Sequence, residues 1–182
     1  GFSPIHDAII EIGAVKVSKG EIKDHYSVFV NPQRPIPMRI TELTSIDDAM
    51  VADAKTIEEI LPEFLEFCDG CSLVAHNAEF DVSFIEENAQ RQGFQTDFTV
   101  IDTVQMARLL LTDLNRFKLN TVCKRLNIKQ EHHHRAVDDA RVTAEVFVRF
   151  VEMLEEQEVR TLAALNEMGA VSADLIRKAP SY

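Results

Sequence analysis

Two short segments of the chain combine residue types that handle divalent cations and protons. The first is His-Asn-Ala-Glu-Phe-Asp over residues 76–81, and the second is His-Arg-Ala-Val-Asp-Asp over residues 134–139. Carboxylate oxygens are the preferred ligands of hard cations such as Mg²⁺, and histidine exchanges protons near neutral pH. Taken together, the two segments predict metal-dependent cleavage of a phosphodiester.

Each segment alone has an ordinary structural explanation. Asp81 falls in the first turn of a predicted helix, where an acidic side chain interacts favourably with the helix dipole. Residues 132–134 can form a solvated turn, and Asp138 and Asp139 can belong to a helix start. On one continuous helix, His134 and Asp139 would lie about 140° apart, so a shared site requires His134 in the loop before the helix. The two segments together, rather than either one alone, indicate a catalytic site.

Predicted secondary structure places both segments beside helix starts. A buried strand over Leu73–Ala75 leads to a helix over Glu79–Gln92, and a long amphipathic helix over Arg135–Glu156 carries Asp139. Ligands of α/β proteins commonly bind where a strand opens into a helix. The other predicted elements are strands at 8–17, 21–30 and 98–101 and helices at 57–67, 103–111, 119–127, 161–168 and 172–178. A hairpin followed by alternating strands and helices predicts an α/β fold with a mixed sheet flanked by helices.

Composition and charge exclude several classes of protein. The 182 residues, 46% of them hydrophobic, fit one globular domain. No apolar run approaches the roughly 20 residues of a membrane span and no signal peptide opens the sequence, so we expect a cytoplasmic protein with no membrane partner. Thirty acidic and 19 basic residues give a net charge of -11. That balance argues against binding a duplex through a broad basic face, but it suits a site that holds phosphates through cations.

The cysteines predict neither disulfides nor a zinc site. Three cysteines suit a reducing compartment. Cys68 and Cys71 form a Cys-x-x-Cys pair, but a structural zinc site needs four ligands and only Cys123 remains among the thiols. We interpret the pair as incidental.

The two segments resemble the second and third motifs of the DEDDh family of 3′–5′ exonucleases, which have a ribonuclease H-like fold. Those motifs are His-Asn-x-x-Phe-Asp and His-x-Ala-x-x-Asp, and residues 76–81 and 134–139 match them in full. Four further segments fall in the family's order and spacing: 8–17, 43–46, 101–103 and 119–121. Within the family, the chain is most similar to the proofreading domains of PolC-type DNA polymerase III of Gram-positive bacteria, through residues 119–124, 133–136 and 175–182. The resemblance covers about residues 1–152.

The resemblance implies hydrolysis of DNA from its 3′ end with two divalent cations, Mg²⁺ or Mn²⁺, about 4 Å apart. Asp81 and Asp139 would be metal ligands. His134 would be the general base that takes a proton from the attacking water. We interpret Asp102 as the N-cap of the following helix rather than as a further ligand.

The resemblance also assigns four residues to substrate binding: Phe80, Asn77, Thr44 and Ile46. Phe80 would pack on the terminal nucleotide, with Thr44 and Ile46 beside its base, because stacking tolerates any sequence. The alternative for Phe80 is a place in the hydrophobic core.

The sequence departs from the family at the first motif, Asp-x-Glu-Thr-x-Gly. Gly1 resembles the last glycine of that motif, so we expect its two carboxylates and their strand to precede Gly1. Glu11 and Asp7 lie in the wrong places to replace them. We therefore expect these 182 residues alone to bind metals weakly and to be inactive or nearly so.

The domain organisation follows from the resemblance. We expect an exonuclease domain at residues 1–156 and a helical linker at residues 157–182 leading to the next polymerase segment. The partners would be the 3′ end of single-stranded or frayed DNA, the other polymerase domains and the replication machinery. Two alternatives stay open: a stand-alone exonuclease acting on RNA or in repair, and a non-catalytic docking domain.

Overall fold

The computed structural model describes residues 6–131, 135–167 and 176–177. Its elements, in chain order, are β1 (Glu11–Ser18), β2 (Glu21–Phe29), α1 (Met38–Thr44), α2 (Asp48–Val51), α3 (Ile57–Phe67), β3 (Leu73–Ala75), α4 (Ala78–Arg91), β4 (Val100–Asp102), α5 (Thr103–Leu110), α6 (Leu119–Arg125), α7 (Ala136–Glu156), α8 (Leu162–Glu167) and β5 (Ile176–Arg177). Among the described helices, none is long and apolar enough to cross a membrane.

The described residues cluster into two compact units. The first unit takes its residues from Gly1–Gly70, Phe80–Thr96 and Glu131–Arg141, and the second from Cys71–Glu79, Asp97–Gln130 and Val142–Tyr182. This division interleaves along the chain, whereas the sequence predicts a boundary at residues 156 and 157. That boundary stays a prediction.

The first unit opens with the predicted hairpin. β1 and β2 pair antiparallel, with Ser18 opposite Glu21. The two-residue turn between them has φ of 53° at Lys19 and 78° at Gly20. Positive φ at both positions matches the right-handed twist of the flanking strands, which is why a glycine-containing turn forms here. The predicted strand at residues 8–17 is confirmed, although its regular pairing begins only at Glu11.

Helix α3 packs against this hairpin through aromatic side chains. The ring of Tyr26 on β2 lies 5.6 Å from the rings of both Phe64 and Phe67. The start of α3 is a capping box in which Thr56 and Glu59 satisfy each other's backbone amides. The predicted helix is confirmed, and Pro62 lies inside it without ending it.

The second unit is built on a mixed sheet. β3 is parallel to β4, and β5 is antiparallel to β4. The predicted mixed sheet is therefore confirmed, while β1 and β2 form a separate two-stranded sheet in the described chain. Apolar side chains of α5, α6 and α7 supply most of the core: Ile101, Met106, Ala107, Leu111, Val122, Cys123, Leu126, Ile128, Val142, Val146, Phe150, Leu154 and Leu165.

The C-terminal segment differs from its prediction. The sequence predicts a helix over residues 172–178, but Ile176 and Arg177 form strand β5. The helix prediction is wrong at these two positions because pairing with Val100 and Ile101 of β4 determines their conformation. The rest of that predicted helix lies outside the described residues.

Candidate active site

The predicted site residues are distributed over both units. The first unit holds Thr44, Ile46, Phe80, Asp81 and Asp139, and the second holds Asn77. His134, the predicted general base, lies outside the described residues.

A single buried carboxylate organises the start of α4. Asp102, only 7% exposed, accepts hydrogen bonds from the backbone amides of Asn77 at 3.1 Å and Ala78 at 3.0 Å. It also accepts one from the amide of Val104 at 2.9 Å and so caps α5. Helix-terminal amides lack partners within the helix, and one side chain here serves two helices. The predicted N-cap role of Asp102 is confirmed.

Asn77 has a left-handed backbone conformation, with φ of 67°. Asparagine tolerates this conformation better than most residues do, and it lets the chain turn from β3 into α4. The amide of Asn77 is held by Asp102, while its side chain is exposed. Its assignment to substrate binding stays a prediction.

His76 is held from both sides of its ring. Its Nδ1 lies 2.8 Å from the hydroxyl of Thr103, and its Nε2 lies 2.6 Å from the carbonyl oxygen of Phe117. Because a carbonyl only accepts, Nε2 carries the proton that it donates to Phe117. The Thr103 hydroxyl lies between two acceptors, His76 Nδ1 and the Ala75 carbonyl oxygen at 3.3 Å. Burial lowers the pKa of His76, against the opposing effects of the Phe117 carbonyl and of Asp102. A neutral imidazole with a hydrogen bond at each ring nitrogen fixes the end of β3.

Asp81 and Phe80 lie in the first turn of α4. Both are exposed, and 39% of Phe80 is accessible to solvent. The Phe80 ring lies 5.4 Å from the ring of Phe84 in a tilted arrangement. An exposed ring supported by a second ring can receive a nucleotide base. Its role in substrate binding stays a prediction.

Asp139 lies in the first turn of α7, as predicted. The helix begins at Ala136, and the Asp139 amide donates to the Arg135 carbonyl at 3.0 Å. The Asp139 side chain is exposed, whereas that of Asp138 is partly buried. Glu11 of β1 binds the start of α7, because its carboxylate accepts a hydrogen bond from the Ala136 amide at 2.8 Å.

The segment at the end of α1 presents a different side chain from the one expected. Thr44 donates its hydroxyl to the Ile40 carbonyl at 2.7 Å and accepts from the Ile46 amide at 3.2 Å. Ile46 is only 1% exposed and packs in a small core cluster of the first unit. Leu43, by contrast, is 58% exposed. The nucleotide contact of Ile46 stays a prediction. Leu43 is the exposed apolar side chain of this segment.

The chemistry of Asp81 and Asp139 fits hard divalent cations, because both supply carboxylate oxygens. Two carboxylates are nevertheless few for a pair of ions. Within the described ranges, no group of three or more His, Cys, Asp or Glu side chains is arranged to hold a metal ion. The two aspartates can therefore contribute to a metal site but do not complete one with other described residues.

Comparison with known proteins identifies the family. The family model of the RNase_T exonucleases matches residues 1–147. The chain belongs to this exonuclease family. Exonucleases of this kind use divalent metal ions.

The chain is similar to part of PolC-type DNA polymerase III. It is 47% identical over 182 residues to the PolC-type DNA polymerase III of Caldanaerobacter subterraneus and 50% identical over 183 residues to that of Clostridium perfringens. Both matches cover all of this chain but only 13% of the relative. The predicted resemblance to PolC-type proofreading domains is confirmed at this level.

Solved structures of exonucleases share the fold. Exonuclease X in complex with 5′ overhanging duplex DNA has a TM-score of 0.66 at 29% identity, covering 82% of this chain and 86% of that one. The nuclease domain of 3′hExo, a DEDDh family member bound to rAMP, has a TM-score of 0.67 at 18% identity, covering 79% and 80%. The predicted ribonuclease H-like α/β fold is confirmed.

Two residues, Glu11 and Leu43, have contacts or exposure in the structure that the sequence did not predict. Glu11 interrupts an apolar strand, and a buried carboxylate in such a strand needs a polar partner; that need was the available signal. Leu43 lies in the last turn of α1, a helix in which no residue is buried, so its apolar side chain has no core to enter.

Proposed function

We propose that this chain is the 3′–5′ exonuclease domain of a cytoplasmic PolC-type DNA polymerase III and removes mismatched nucleotides from the 3′ end of DNA during replication. The supporting observation is the placement of Asp81 and Asp139. Both are exposed, and both lie in the first turn of a helix in the same compact unit. Both carboxylates therefore lie at the protein surface, where a hydrolytic site meets its substrate.

The reaction assigned to this site is hydrolysis of the terminal phosphodiester. Asp81 and Asp139 would hold divalent cations, Mg²⁺ or Mn²⁺, and the bound ions would supply Lewis acidity for the attack of water and the departure of the 3′ oxygen. His134 takes the proton of the attacking water as general base. The product is a nucleoside 5′-monophosphate.

Substrate binding in this proposal is independent of base identity. The exposed ring of Phe80 stacks on the terminal base, and every base has a face for stacking. Thr44 and the exposed Leu43 lie beside the nucleotide, Ile46 supports their segment from the core, and Asn77 contacts the substrate through its exposed side chain. Such a site suits proofreading, since the base to be removed differs from one error to the next.

The test uses the whole polymerase that contains this domain. A 5′-labelled primer with a 3′ mismatch, annealed to a template, is incubated without nucleotides in Mn²⁺ or in EDTA. We expect stepwise shortening from the 3′ end in Mn²⁺ and none in EDTA. A primer that stays intact in Mn²⁺ contradicts the proposal and favours a docking domain, whereas faster shortening of an RNA strand of the same sequence favours the RNA-directed alternative.

A further inference from the structure

Glu11 is a nearly buried acid on β1, with 10% of its side chain exposed. One carboxylate oxygen accepts the Ala136 amide hydrogen at 2.8 Å, and the other lies 3.6 Å from Arg135 Nη1. The Arg135 guanidinium in turn lies over the ring of Phe29, 5.1 Å from its centroid. All four residues belong to the first unit.

The contact with Ala136 is a helix cap supplied from a distant strand. The first amides of a helix have no partner in the helix itself, and a carboxylate there satisfies a donor and complements the helix dipole. The capping side chain usually comes from the residue just before the helix. Here it comes from a residue 125 positions earlier in the chain, so the cap connects β1 to the start of α7.

Gly13 brings the two backbones into direct contact at the same place. A Cβ atom added to Gly13 would overlap the Val137 nitrogen and the Ala136 carbonyl carbon, and it would lie 2.6 Å from Val137 Cα. No side chain fits so close to the backbone of α7. Gly13 and Glu11 are two residues apart in a strand and therefore lie on the same face of β1, where one sets the distance to α7 and the other binds its first amide.

We propose that Glu11 is a positioning residue for the exonuclease reaction, acting with Gly13 to fix the start of α7. Asp139 follows Ala136 by three residues, less than one helical turn, so a displaced helix start moves its carboxylate. Glu11 does not touch the substrate; it acts through Ala136 and Arg135. The catalytic part of this inference rests on the proposed exonuclease function.

The experiment compares three variants of the whole polymerase: Glu11→Ala, Glu11→Gln and Glu21→Ala. Glutamine keeps an oxygen that can accept the Ala136 amide hydrogen. Glu21 is a control acid on the same hairpin, with 73% of its side chain exposed. We expect Glu11→Ala to slow the turnover of nucleotide excision by about 10- to 100-fold, as the loss of supporting partners around metal ligands commonly does, with the KM for DNA within about twofold. Glu11→Gln should recover most of the rate, and Glu21→Ala should match the unmodified enzyme.

Hydrogen exchange supplies a readout that does not depend on activity. Losing one N-cap costs on the order of 1 kcal/mol, so exchange at residues 136–139 should accelerate by about fivefold or more in Glu11→Ala, with smaller changes in α3. Gly13→Ala should accelerate the same segment although it removes no polar group. If Gly13→Ala fails to fold, the two Glu11 variants still decide the question.

Two results would overturn the inference. Unchanged exchange at residues 136–139 in Glu11→Ala shows that Glu11 does not hold the helix start. Exchange accelerated equally throughout the first unit, without rescue by glutamine, shows a purely structural role. If the unmodified polymerase excises nothing, the proposed function fails, while the exchange data still test whether Glu11 positions α7.

Discussion

Replacing Asp102 with alanine should cost more stability than the loss of an ordinary helix cap. Its carboxylate binds three backbone amides, two at the start of α4 and one at the start of α5. One lost N-cap costs about 1 kcal/mol, so two caps give about 2 kcal/mol. The third amide, buried at Ala78, adds about 1 kcal/mol for a donor left without a partner. We expect the free energy of unfolding to fall by about 3 kcal/mol.

The assay is urea denaturation of the chain followed by far-ultraviolet circular dichroism. Asp47→Ala is a matched control, because Asp47 caps α2 through a single amide, that of Met50, at 3.0 Å. The control should lose only about 1 kcal/mol of unfolding free energy. The loss for Asp102→Asn should lie between those of Asp47→Ala and Asp102→Ala, since one carbonyl oxygen remains. A loss below about 1 kcal/mol for Asp102→Ala would refute the argument that one carboxylate supports two helices.

Three further predictions concern the pH dependence and the candidate site. Burial lowers the pKa of His76, so the folded state binds protons less readily than the unfolded state. The contribution of neutral His76 to the free energy of unfolding should be fully present above pH about 6.5, and it should fall as the pH drops through and below that value. The melting temperature should fall between pH 7.5 and pH 5.5 in the unmodified chain and fall less in His76→Gln. An equal fall in the two proteins would contradict this role of His76. Phe80→Ala should raise the KM for single-stranded DNA about tenfold, by loss of stacking, with little change in melting temperature, and an unchanged KM would exclude Phe80 from binding. Ile46→Ala should lower the unfolding free energy by about 2 to 4 kcal/mol because its side chain is buried, whereas Leu43→Ala should leave stability unchanged and weaken DNA binding; the reverse pattern would assign the contact with the terminal base to Ile46.

Local chemistry made much of the fold predictable. Thr56 and Glu59 form a capping box at the start of the predicted helix at residues 57–67, and the predicted hairpin turns at Lys19-Gly20. Gly93 has the positive φ of 78° that a residue after a helix end often requires. In each case the residues that determine the conformation are a few positions apart, so the sequence alone contains the information.

Features that depend on distant partners were not predictable in the same way. The pairing of Ile176 with Ile101 gives β5 its conformation, and no local pattern in so short a strand indicates it. Glu11 was recognised as an acid in the wrong place for a metal ligand, but its partner Ala136 lies 125 residues away. Burial of Ile46 likewise depends on packing with the rest of the first unit. Long-range contacts of this kind follow only from the folded structure.

A comparison of Asp139→Ala with Asp138→Ala in the whole polymerase, on a mismatched primer-template with Mn²⁺, tests whether Asp139 is a metal ligand of the excision site. The two acids are neighbours at the start of α7, but only Asp139 matches the third motif of the exonuclease family. We expect Asp139→Ala to abolish 3′ excision while primer extension continues, and Asp138→Ala to excise at the unmodified rate. Normal excision by Asp139→Ala would contradict its role as a metal ligand and with it the proposed active site.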